Sequence, residues 1–141
     1  MRVLRFTILC LLCLTAIQLS SCGMSGGIKL GQAAADQFHS RYNEQQYDAI
    51  YDSADPAYLK AVDRDTSKQY FQMVHEKLGP CSNYKNTGFN YDVSTTGTFI
   101  DLQYSGTCAS GTIEEDFHWK EVGGKAVLIH YTAKSPALMG H

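Results

Sequence analysis

Val74–Val93 reads VHEKLGPCSNYKNTGFNYDV, and its apolar repeat changes in the middle. Before Gly79-Pro80, Phe71, Val74 and Leu78 recur at helical spacing; after it, Phe89, Tyr91 and Val93 alternate. A repeat near four buries one stripe of a helix, and a repeat of two buries one face of a strand. Gly79 tolerates the left-handed exit from a helix, and Pro80 cannot continue one. This dipeptide divides the chain into a helical half and a strand half.

The alternation persists downstream. It predicts strands over Tyr84–Ser94, Thr98–Cys108, Thr112–Val122 and Ala126–Thr132. Thr96-Gly97, Ser110-Gly111 and Gly123-Gly124 separate them, and Gly123-Gly124 is the strongest hairpin signal. Connections this short make an antiparallel meander, because parallel strands need long crossovers. With a turn near Gly97, Tyr84 falls roughly opposite Cys108 and Cys81 lies just beyond.

Upstream, Leu30, Ala34, Phe38 and Tyr42 recur every fourth position, and Tyr47, Ile50 and Ala54 continue the stripe. One long helix is predicted over Leu30–Ala54. Asp55 then caps a short helix, Ala57–Val62, with Pro56 at its first position. Thr66-Ser67-Lys68-Gln69 fits a capping box at the start of a medium helix ending at Leu78.

Long, short and medium helices followed by about four antiparallel strands form an α+β layout. In element order and helix lengths, over about residues 30–135, it resembles the cone-shaped fold of nuclear transport factor two and its cystatin-like relatives. The resemblance implies a curved sheet wrapping the long helix, with room for a pocket between sheet and helices. Such relatives include dehydratases and cyclases with an Asp–His pair in the cone, and also binding modules and assembly subunits. None of their catalytic motifs maps onto this chain residue by residue, so no catalytic residue is assigned.

The chain opens MRVLRFTILCLLCLTAIQLSSC. Arg2 and Arg5 precede an apolar run, Phe6–Ile17, that ends in small residues, the three-part pattern of a secretory signal peptide. The run is too short for a spanning helix, which needs roughly 20 residues. Leu19-Ser20-Ser21-Cys22 resembles the bacterial lipobox. That implies removal of residues 1–21 and acylation of Cys22, with the chain held on a membrane by its lipid. Gly23, rather than Asp, implies the outer membrane facing the periplasm. Residues 22–29, rich in Gly and Ser, read as a flexible tether, and 136–141 as a mobile tail.

Loss of residues 1–21 leaves about 120, enough for one domain with a real core. The net charge of −2, more negative once the two leader arginines go, excludes the basic footprint of a nucleic-acid binder. Of five cysteines, two leave with the leader and Cys22 carries lipid. Cys81 and Cys108 remain as an even pair and are expected to bond in an oxidising compartment. The loop between them, about 26 residues, gives ~3–4 kcal/mol in the chain-entropy account.

The strand Glu114-Glu115-Asp116-Phe117-His118-Trp119 is the most polar. Alternation puts Ile113, Glu115, Phe117 and Trp119 on one face and Glu114, Asp116, His118 and Lys120 on the other. Asp116 and His118 are then neighbours, suited to proton transfer or to a solvated face. Glu115 shares its face with aromatics: inside a cone it would be an acid or a ligand contact, and at the rim a solvated carboxylate. His130 falls with Ala126 and Leu128 on the next strand, so Glu115, Trp119 and His130 form the candidate pocket. His39 and His75 lie on helices and His141 in the tail. This scatter argues against a metal site, which needs three or four convergent ligands, and no cofactor motif occurs.

These features favour a non-enzymatic envelope lipoprotein that binds a protein partner or serves an assembly. The alternative is a small-ligand-binding or dehydratase/cyclase-like cone. The first expects a filled cone and an exposed apolar patch, the second an open pocket at Glu115. A lipoprotein inhibitor of lysozyme is disfavoured by so much predicted helix.

Overall fold

The structure is a computed structural model that describes residues 22–140, so the expected leader and His141 lie outside the described residues. Four helices, α1 (Cys22–Asn43), α2 (Tyr47–Asp52), α3 (Pro56–Ala61) and α4 (Arg64–Leu78), precede four strands. The strands, β1 (Cys81–Ser94), β2 (Gly97–Cys108), β3 (Gly111–Val122) and β4 (Lys125–Lys134), form an antiparallel meander in the order β1-β2-β3-β4. This is the α+β architecture expected, with the helical half ending at Gly79, whose φ is 73°. Gly123 and Gly124 take φ of 56° and 73°, the positive values a type I′ hairpin turn demands.

The helices differ from expectation in three places. The long helix stops at Asn43. The amide of Gln46 bonds to the Arg41 carbonyl at 2.8 Å and that of Gln45 to the Tyr42 carbonyl at 3.0 Å, the two bonds of a Schellman end. Gln45 adopts φ 57° there, a position where glycine is usual, so neither Gly nor Pro marks the break. At α4 the cap is Asp63, not Thr66: its side chain accepts the Thr66 amide at 2.9 Å. The short helix does start as expected, with Asp55 accepting from the Ala57 amide.

At the other end, α1 begins at Cys22, so residues 22–29 form helical turns rather than a tether. Two of its glycines lie against the sheet: a Cβ on Gly27 would meet the Tyr91 ring at 2.1 Å, and one on Gly31 would meet Ile100 at 2.9 Å, whereas Gly23 and Gly26 are exposed. The lack of a side chain at Gly27 and Gly31 lets the helix lie directly on β1 and β2. The buried stripe of α1 is Gly27, Gly31, Ala35, Phe38, His39 and Tyr42; Leu30 and Ala34 sit at its margin. At the chain end, Pro136–Leu138 forms a 3₁₀ turn. Leu138 packs on the core, so the expected mobile tail is folded back as far as Leu138.

The core lies between sheet and helices. Phe38 makes edge contacts with Phe71 and Phe117 at centroid distances of 5.6 and 5.0 Å. Tyr42, Tyr47 and Tyr58 are buried and Tyr51 and Tyr70 half-buried, so the tyrosines of the helical half serve the core. Among the described residues no helix is long and apolar enough to cross a membrane.

Candidate functional site

The sheet's two faces carry two polar clusters, and β-bulges decide which residues join each. Between β3 and β4, His118 pairs with His130 but Trp119 pairs with Leu128, leaving Ile129 as an extra residue. One extra residue reverses the alternation. Leu128 and Tyr131 both face the core, and His130 turns out to solvent. The expected pocket is therefore not assembled. Glu115 and Trp119 are buried on the inner face, and His130 is exposed on the outer one.

Glu115 is 2 % exposed, which places it in the interior rather than at the rim. His39 Nε2 donates to its Oε2 at 2.7 Å, and the Tyr131 hydroxyl donates to its Oε1 at 2.7 Å. Tyr84 stacks flat on the His39 imidazole at 3.5 Å, and Tyr104 meets its edge. Both carboxylate oxygens thus have buried donors, as a charge in a low-dielectric interior requires. The surrounding phenols feel burial and the carboxylate together. Tyr104 is pushed up to about 12 by burial, then by Asp36 and Glu115. Burial raises Tyr131, Tyr84 and Tyr42 as well, with Glu115 adding to each.

The Glu115 carboxylate is enclosed by His39 and Tyr131, and the ≈ 320 Å³ cleft that residue 115 also borders lies among Gln103, Glu114, Asp116 and Lys134. The pocket between helices and sheet that touches Trp119 holds ≈ 50 Å³, between Phe38, Ile50 and Leu128. Trp119 stacks on Phe117 at 5.3 Å and packs the core.

The outer face carries Asn90, Asp101, His118 and His130 in one cross-strand row. Asn90 donates to Asp101 Oδ2 at 3.2 Å, and Asp101 Oδ1 accepts from His118 Nδ1. Asp116, expected beside His118, is held by Lys134 at 2.7 Å and Thr132 at 3.4 Å. A cleft of ≈ 400 Å³ opens over this row, floored by Gly88.

Cys81 and Cys108 form a disulfide and pair directly in the sheet, not with Tyr84 opposite Cys108. Bulges between Ser82 and Lys85 and between Asn86 and Gly88 take up the difference. Asn43 joins the end of α1 to that point, accepting from the Cys81 amide and donating to its carbonyl. Cys22 is the first residue of α1.

Sequence reasoning passed over Tyr131 and Asp101 and noted His39 without a role. His39 did carry a signal, since it follows Phe38 on the apolar stripe. Tyr131 and His130 exchanged places at a bulge that no glycine or proline marks. Among the described residues no group of three or more His, Cys, Asp or Glu is arranged to hold a metal ion. No family model matches the chain, and no curated protein matches it.

Proposed function

We propose that this chain is a lipid-anchored protein of the bacterial envelope, probed and used through its surface as a non-enzymatic protein-binding or assembly module. The lipobox-like Leu19–Cys22 supports the anchor on Cys22, and the bonded Cys81–Cys108 pair fits an oxidising compartment. The enclosed Glu115 supports the non-enzymatic part, since both its carboxylate oxygens are engaged within the chain by His39 and Tyr131.

The observation that carries the reading is the inequality of the two sheet edges. At β4, the Leu128 carbonyl accepts from the Asp55 amide at 2.8 Å, and the Ala133 amide donates to the Tyr70 hydroxyl at 3.0 Å. The helices thereby cover that edge. On the far side of β1 Asn43 holds the backbone of Cys81, but no strand lies there among the described residues, and Phe89 and Val93 further along are 58 % and 68 % exposed. An open edge with apolar side chains is a template for an added strand. The partner is a protein that supplies an extended segment to β1.

A photo-cross-linking amino acid in place of Val93, expressed in intact cells, tests this. The expected result is one dominant envelope partner, lost when Cys22→Ala removes the anchor. A lipidated, folded protein that yields no enriched adduct would move the reading to the ligand-binding or enzymatic alternative.

A further inference from the structure

The outer-face row sets two imidazoles at opposed positions of neighbouring strands over one cleft, and nothing in the proposed function uses it. His118 is held from two sides. Asp101 takes its Nδ1, Asn90 in turn holds Asp101, and Phe99 stacks parallel to the ring at 5.5 Å. With Nδ1 turned to Asp101, Nε2 is the nitrogen left to meet a ligand. A carboxylate on the far nitrogen is the usual support of a metal-bound histidine, fixing the ring and raising its basicity.

His130 sits directly opposite His118 in the register and lines the same cleft. Directly opposed residues hold their Cβ atoms about 4.5–5.5 Å apart, close enough for two imidazoles to share one ion. Among the described residues no hydrogen bond, ion pair or ring contact engages the His130 side chain. The Ile129 bulge creates this juxtaposition, since strict alternation would turn His130 into the core. Asp116 lines the cleft too, but Lys134 neutralises it. The protein thus offers two nitrogen ligands, fewer than the three or four of a dedicated site, and water would complete the shell.

We propose that His118 and His130 bind one late first-row divalent cation, Zn²⁺ or Cu²⁺, on the outer face of the sheet, with Asp101 as the positioning residue. Paired imidazoles suit these ions rather than Mg²⁺ or Ca²⁺. The test is calorimetric titration of Zn²⁺ and Cu²⁺ into the full chain purified without a polyhistidine tag, beside His118→Ala, His130→Ala and Asp101→Asn. Circular dichroism confirms the fold of each variant. The expected result is one ion per chain, lost in either alanine variant and weakened about 10–100-fold by Asp101→Asn. Absence of saturable binding, or binding that survives His130→Ala in a folded protein, would overturn the proposal.

Discussion

Glu115 shows how one side chain can be a structural necessity and look like an active-site acid. Its two oxygens accept from His39 and Tyr131. Removing the carboxylate strands both donors in the core, a class of change that costs about 3–5 kcal/mol. Glu115→Ala is expected to lower stability by that order in urea denaturation. Tyr131→Phe deletes one hydrogen bond to a charged group and should cost less, about 1.5–3 kcal/mol. The phenols around the carboxylate set the pH dependence. An unfolded tyrosine ionises near ~10, whereas Tyr104 is raised to about 12, and Tyr42, Tyr84 and Tyr131 are raised too. A raised folded value means that the neutral form is the one the fold retains. Its contribution is complete below about pH 10 and is lost as pH climbs toward and past the folded values. Urea midpoints should be unaffected by these phenols up to pH 9 and fall between pH 10 and 12, more gently in Tyr84→Phe. A full complement of tyrosinate absorbance at pH 10.5 in the folded protein would contradict this.

At the scale of elements, small residues and bulges set the geometry, and these are the features a hydrophobicity pattern reads worst. Gly31 illustrates the competition. Alanine there would gain about 1 kcal/mol of helix propensity, yet its Cβ would lie 2.9 Å from Ile100 and 3.0 Å from Leu102, both wholly buried. Overpacking a core costs about 1–3 kcal/mol, so Gly31→Ala should be destabilising on balance in thermal or urea melts. Asp55→Ala should cost about 0.5–2 kcal/mol by removing the α3 cap. The sequence made the Asp55-Pro56 start, the Gly79 stop and the Gly123-Gly124 turn legible because each uses a residue with a distinctive backbone preference. The same reasoning passed over the end of α1, where Gln45 takes the positive φ, and the cap of α4, where Asp63 competes with Thr66. It ranked Leu30 and Ala34 above Gly27 and Gly31 because it weighs apolarity. A helix lying directly on a sheet selects for absence of bulk. The Ile129 bulge was invisible for a related reason, since all residues around it suit a strand and the partner's register alone decides where the extra one goes.

For the whole molecule, sequence pattern resolved the helical half before the strand half, the meander and the Cys81–Cys108 bond, while the division of the long helix at Asn43 and the two faces of the sheet had to be seen. Burial of β3 followed the alternation, so Glu115 and Trp119 face the core as their spacing implied. His130 did not follow, and the three-residue pocket divided into an interior network and an outer cleft. The disulfide ties the start of β1 to the end of β2 across 27 positions of sequence. Reduction should lower stability by about 3–4 kcal/mol, read as the shift in urea midpoint with and without reductant at constant pH. The central claim is that the interior is closed and that contacts with other molecules are made on the surface. Diethylpyrocarbonate labelling of the folded protein, with each histidine followed by mass spectrometry, tests it most directly. His130, exposed on the outer face, should be modified readily in metal-free protein, and His39 should be protected until the protein unfolds. Rapid modification of His39 in the folded state, or protection of His130 in metal-free protein, would contradict the account.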